Sequence, residues 1–195
     1  MEYPLHMSFK IMALSPQIKV TDSTGETVCY VKQKMFKLKE AVNVFRDESQ
    51  KVKLCELKAD RMIDFSANYH FFDTSGESFG GLRRKGMRSI WKAHYELMDE
   101  SDQHLATISE ENPMAKILDS MLGEIPLMGA FSGYLFHPKY LMSSLNNEPL
   151  LRLEKQPAMW EGKFKVDKLA DIDPVDELRS LMGFLMMTLL ERQRG

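Results

Sequence analysis

For most of its length the chain alternates apolar and polar residues in short runs, and then it stops alternating. Ile18 and Val20 alternate with Lys19 and Thr21, and after a turn signal at residues 22–25 comes a β-branched and aromatic run through Val28, Tyr30 and Val31. Period-two or β-rich runs recur at residues 35–39, 42–46, 53–57, 63–71, 79–85, 91–97 and 105–108, with turn signals at 47–50 and 73–76. They resume at 140–143, 150–154 and 160–166. Alternation of this kind puts every second side chain on one face of a strand, and turns every ten residues or so suit a sandwich or barrel.

Two stretches break the pattern. Asn112 and Pro113 can open a short helix through Leu122 with Met114, Ile117, Leu118 and Met121 on one face, and residues 125–136 are apolar with Gly129 and Gly133, a loop over a barrel mouth or a loose helix. The last stretch, residues 173–194, is different in kind. Leu178, Leu181, Met182, Phe184, Leu185, Met186, Met187, Leu189 and Leu190 leave almost no polar direction, with Arg179, Ser180, Gly183 and Thr188 as the interruptions. A helix apolar all round must be enclosed. Its uncharged run, 180–190, has eleven residues, whereas a bilayer span takes about 20. The enclosure is therefore protein. Asp173 suits the N-cap and Pro174 the first helical position, with Asp176 and Glu177 near the positive end of the macrodipole and Arg192 and Arg194 near the negative end. The economical arrangement is a closed antiparallel barrel, which removes sheet edges, filled by that helix. With no low-complexity linker, residues 1–195 are expected to form one domain.

Composition narrows the classes. The 195 residues are 44% hydrophobic and 28% charged, a globular balance, and a net charge of −2 argues against a general nucleic-acid binder. Cys29 and Cys55 form neither a disulfide framework nor a metal-ligand spacing, so no cofactor is expected. Residues 1–10 lack the apolar core of a secretory signal, which makes the cytoplasm the default location, with peripheral membrane attachment as an extension of it. Fifteen methionines fill core gaps in the plain reading and line a lipid or peptide groove in the sharper one. Tyr134, Phe136 and Tyr140 divide between groove and core in the same way. His6, His70, His94, His104 and His137 are scattered, and Asp60, Asp64 and His70 have no nucleophile at fixed spacing. Gly80 and Gly81 are followed by no Gly-Lys-Ser/Thr, so they suit a bulge or barrel bend rather than a phosphate loop.

Charge gives the one candidate site. Arg83, Arg84, Lys85, Arg88 and Lys92 come without an acid, and the next stretch, 96–111, carries Glu96, Asp99, Glu100, Asp102, Glu110 and Glu111 without a Lys or Arg. Cross-strand pairing would neutralise both. Alternatively the bases hold an anion, since Arg grips phosphate bidentately. Strand parity separates Arg84 from Arg83 and Lys85, so the candidate anion site is Arg83 and Lys85 with Arg88 and Lys92 further off. Lys32, Lys34, Lys37 and Lys39 suit a solvated face.

The chain resembles a known family. Phe164-Lys-Val, Asp173, Leu178 and the run Leu181 to Met187, with Gly80-Gly-Leu-Arg-Arg-Lys, Trp91 and Tyr95-Glu-Leu, are similar to the LURP-one-related proteins, kin of phospholipid scramblases and of the tubby C-terminal domain. The strand pairs around Val28, Tyr30, Val42 and Phe45 fit the same plan, over residues 18–190. The resemblance implies about twelve strands closed around a central hydrophobic C-terminal helix. It also implies a non-enzymatic binding module for anionic lipid head groups or a protein partner. The tubby phosphoinositide residues find no matching motif here, and the calcium segment of scramblases is not evident, so lipid scrambling is not expected. The alternative is a scaffold that binds another protein and no lipid.

Overall fold

A computed structural model describes residues 1–10, 17–32, 41–60, 68–84, 94–111, 138–158 and 161–192. Among these the chain forms twelve strands: β1 Leu5–Lys10, β2 Gln17–Thr21, β3 Thr27–Lys32, β4 Val42–Phe45, β5 Lys53–Ala59, β6 Asn68–Phe72, β7 Ser78–Arg84, β8 His94–Met98, β9 His104–Glu110, β10 Lys139–Ser144, β11 Pro149–Gln156 and β12 Glu161–Lys168. Each pairs antiparallel with the next, and β1 pairs with β12 to close the barrel. A helix, Pro174–Arg192, follows β12. No helix among the described residues is long and apolar enough to cross a membrane.

The inner rows follow the alternation. Leu5, Met7 and Phe9 of β1 are buried between His6, Ser8 and Lys10, and Leu151 and Leu153 of β11 do the same. The helix packs against these rows on all sides, with Leu181 to Leu189 buried throughout and Phe184, Leu185 and Met187 fully enclosed. Cys55 Sγ lies 3.4 Å from Met182 Sδ. Gly183 lets the helix approach Leu97, whose Cδ1 would stand 2.9 Å from any Cβ added there.

The sheet begins earlier than the alternation from Ile18 predicts: β1 precedes it and makes the closing pair. The strand expected at 35–39, the helix at 112–122 and the stretch 125–136 lie outside the described residues.

One end of the barrel consists of tight turns. Asp22 Oδ1 accepts the Thr24 and Glu26 amides, each at 3.0 Å, Asp73 Oδ1 those of Ser75 and Glu77, each at 2.9 Å, and Asp99 Oδ1 those of Ser101 and Gln103, each at 2.8 Å. Ser144 Oγ takes the same part at 3.2 Å from the Asn146 and Glu148 amides, and Asp47 Oδ1 accepts the Ser49 amide at 2.8 Å. The residue three after each has a positive φ: Gly25, Gln50, Gly76, Asp102 and Asn147. Such a residue lets a short turn match the strand twist, and the Asp or Ser side chain satisfies the amides left over. Side-chain hydrogen bonds from Thr24, Ser49 and Ser75 hold the carboxyls of Asp22, Asp47 and Asp73 below the ordinary aspartate range.

The helix begins at this turn end. Asp173 Oδ1 accepts the Val175 amide at 2.9 Å and its carbonyl accepts the Glu177 amide at 2.8 Å, as an N-cap requires. Asp173→Ala is expected to cost about 0.5–2 kcal/mol and Asp173→Asn distinctly less, measured by urea unfolding. Equal losses would place the side chain's role elsewhere. Arg179 fastens the helix laterally. Its side chain is 5% exposed, and its Nε donates to the Phe79 carbonyl at 2.7 Å while its terminal nitrogens meet Glu100 at 2.5 Å and Asp176. Gly80, with a φ of 146°, makes room for it: a Cβ there would stand 2.8 Å from Arg179 Nε. The register shift between Phe71 and Phe72 opposite is the bulge expected from the glycine pair.

Candidate functional site

The strands also end at the opposite rim, where the helix C-terminus emerges. Of the four candidate anion-site residues, Lys85, Arg88 and Lys92 lie outside the described residues. Arg83 stands opposite Glu96 in the β7–β8 register, and its Nε donates to Asn68 Oδ1 at 3.0 Å. Arg84 stands opposite Tyr95, its guanidinium 5.8 Å from that ring, so parity separates the two arginines as expected. Three of the six acids in the stretch meet bases far from it in sequence. Glu100 takes Arg179, and Glu111 takes Arg152 through two hydrogen bonds, at 3.1 and 2.9 Å. Asp102 lies 3.7 Å from His70, whose other ring nitrogen is 3.1 Å from Asp60, an outer-face cluster. Asp64 lies outside the described residues.

A second basic surface is built by barrel closure. Ser8 in β1 has Lys163 of β12 on one side and Lys19 of β2 on the other. One pleat along, Lys10 stands between Glu161 and Gln17, and Gln17 is opposite Lys32 of β3. Lys10, Lys32 and Lys163 are exposed. Lys19 pairs with Glu48 at 3.1 Å and Lys165 with Asp167 at 3.0 Å, whereas Lys32 and Lys163 have no carboxylate partner among the described residues. Lys10, Lys32 and Lys163 all sit towards the helix-exit rim. The turn end instead carries Asp22, Asp47, Asp73, Asp99 and Asp173. The division is not complete, since Lys51, Lys53 and Lys168 lie at the turn end and Glu111, Glu154 and Glu191 at the opposite rim.

Inside the same rim lies a cleft of about 270 Å³. Its walls are Phe9, Phe164 and Tyr140 with Pro138, Gly162 and Met187, and its polar groups are Lys155, Thr188 and Glu191. Phe9 and Phe164 meet edge to face with centroids 5.4 Å apart. Tyr95 donates its hydroxyl to Glu191 Oε1 at 2.5 Å, and burial followed by that carboxylate pushes the phenol well above its ordinary range. Tyr140 is raised too, by burial first and then by Glu191 and Glu110. Tyr140 is buried and still lines the cleft, so the core and groove readings both apply to it; Tyr134 and Phe136 lie outside the described residues. The thiols offer no reactive group: burial pushes Cys55 up to about 12 and Cys29 higher. Among the described residues no three His, Cys, Asp or Glu side chains converge on a metal position.

The model of the LURP-one-related family matches residues 27–125, just over half of the chain. No curated protein and no solved structure gives a significant match. The matched part runs from the start of β3 past the end of β9 and includes both Gly80 and Arg83. The family match and the twelve-stranded barrel closed around its C-terminal helix agree, and the chain belongs to the LURP-one-related family of tubby-like proteins.

Proposed function

We propose that the protein is a non-enzymatic binding module that docks its helix-exit rim on anionic lipid head groups, peripherally and from the cytoplasmic side. The observation that carries this reading is the lysine face on β12, β1 and β3, with Lys10, Lys32 and Lys163 exposed near one rim and the capped aspartates at the other end. An anionic surface attracts the first and repels the second, which orients the barrel as well as holding it. Each lysine near such a surface contributes about 1 kcal/mol, so three give roughly a hundredfold in affinity. Arg83, at the rim end of β7 across the barrel, is the proposed second contact, and Lys85, Arg88 and Lys92 follow it in the sequence.

Vesicle flotation tests this. The protein should float with phosphatidylserine-containing vesicles far better than with pure phosphatidylcholine, and less so as salt rises, because exposed charges are screened within about 8–10 Å at 0.1–0.15 M. The triple change Lys10→Glu, Lys32→Glu, Lys163→Glu should lower binding by at least about a hundredfold, because reversal adds repulsion to the lost attraction, and leave the melting temperature nearly unchanged. Flotation that ignores lipid charge and these three residues would defeat the proposal and favour a scaffold whose surface takes a protein partner.

A further inference from the structure

We propose that the cleft beside the helix C-terminus binds a small zwitterion carrying an organic ammonium group and an anionic group a few atoms away. This site is separate from the outward lysine face and does not depend on it.

The cation side is formed by three features that share one sign. Glu191 lies in the last turn of the helix, where the backbone carbonyls make the negative end of the macrodipole. Its carboxylate is held in place by the Tyr95 hydroxyl at 2.5 Å. Phe9, Phe164 and Tyr140 supply aromatic faces, which attract ammonium groups through the ring quadrupole. The Phe9 and Phe164 rings are fixed against one another at 65°. Gly162 stands opposite Phe9 in the register, and a Cβ there would contact Phe9 at 3.4 Å, so its missing side chain keeps the cleft open.

The anion side is Lys155. It follows Leu151 and Leu153 on the inner row of β11 and stands opposite Phe164. Its amide donates to the Pro138 carbonyl at 3.1 Å, which fixes the backbone at the rim of the cleft. Lys155 and Glu191 line one cavity without bonding to each other. An apolar ligand would strip both of water with nothing in return. A simple cation would meet Lys155, and a simple anion would meet Glu191. A ligand with both charges matches both groups. The volume of about 270 Å³ is just below the range of roughly 300–1,000 Å³ that holds drug-sized molecules, so the ligand is of small-metabolite or head-group size.

Phosphocholine is the probe, with choline and inorganic phosphate as its halves, titrated into the intact protein by calorimetry. Phosphocholine should bind at least about tenfold more tightly than either half. Glu191→Gln keeps the shape and should weaken phosphocholine and choline alike. Lys155→Met should bring phosphocholine down to the level of choline, and Gly162→Val should abolish binding by filling the cleft. Circular dichroism confirms that each variant is folded; should Gly162→Val fail to fold, the two charge variants decide alone. Pure phosphatidylcholine vesicles form a further arm. Association that free phosphocholine competes away assigns the site to a lipid head group, and its absence assigns it to a soluble zwitterion. The Lys10, Lys32, Lys163 triple variant should bind phosphocholine normally, so failure of the membrane reading would leave this one standing. No preference for phosphocholine over its halves, or a preference unmoved by Glu191→Gln and Lys155→Met in folded protein, overturns the proposal.

Discussion

Leu185→Asp is expected to yield a protein without a cooperative unfolding transition. Leu185 is fully enclosed midway along a helix that is itself enclosed by twelve described strands, with Phe184, Met186 and Met187 buried beside it. A carboxylate there has no cation and no water to meet. It must either stay charged at a cost of several kcal/mol or protonate and remain without a hydrogen-bond partner. Domains of ordinary stability have about 5–15 kcal/mol in all. Leu185→Met, which conserves volume, should cost less than about 1.5 kcal/mol. Calorimetry and analytical ultracentrifugation distinguish the cases. A monomeric Leu185→Asp protein with an intact transition would mean that the helix does not fill the barrel.

Gly80→Ala should produce the next largest loss, about 3 kcal/mol or more, and a fall in melting temperature of roughly 6–12 °C. Two effects add. The backbone at Gly80 has a φ of 146°, which an L-residue rarely adopts. The added Cβ would stand 2.7 Å from the Met98 carbonyl oxygen, a backbone atom that cannot rotate away, and 2.8 Å from Arg179 Nε. Moving Arg179 breaks its bond to the Phe79 carbonyl and loosens Glu100 and Asp176. The loss should therefore overlap with that of Arg179→Met. In a double-mutant cycle the pair should cost clearly less than the sum, whereas additive losses would show that Gly80 and Arg179 act independently.

The helix was legible because nothing amphipathic could explain residues 178–190, and its start was legible because Asp173 and Pro174 belong at a helix entry. The turns at Asp22 and Asp73 were legible because Gly25 and Gly76 advertise a positive φ. Those at Asp99 and Ser144 were not, since Asp102 and Asn147 carry no glycine signal, and the turn at Asp47, where Gln50 also has a positive φ, was read only from its run of polar residues. β1 escaped because its inner row is Leu5, Met7 and Phe9, short and with no β-branched residue. Arg179 read as a polar interruption in an apolar helix, and only the bulge at Gly80 reveals a slot for it. Strand parity separated Arg83 from Arg84. The lysine face and the cleft could not be read, because both arise where β12 closes on β1, setting Lys163 opposite Ser8, two residues from Lys10, and Phe164 against Phe9 from opposite ends of the chain. Register between such distant strands is set by the whole barrel rather than by local pattern.

The most direct test of a functional end and a structural end is hydrogen exchange on the protein bound to phosphatidylserine-containing vesicles. Binding should slow exchange in peptides ending at the rim, around Lys10, Lys32, Arg83 and Lys163, and leave the turns at Asp22, Asp73 and Asp99 unchanged. Slowing confined to those acidic turns, or no slowing at either end in protein that floats with the vesicles, would contradict it.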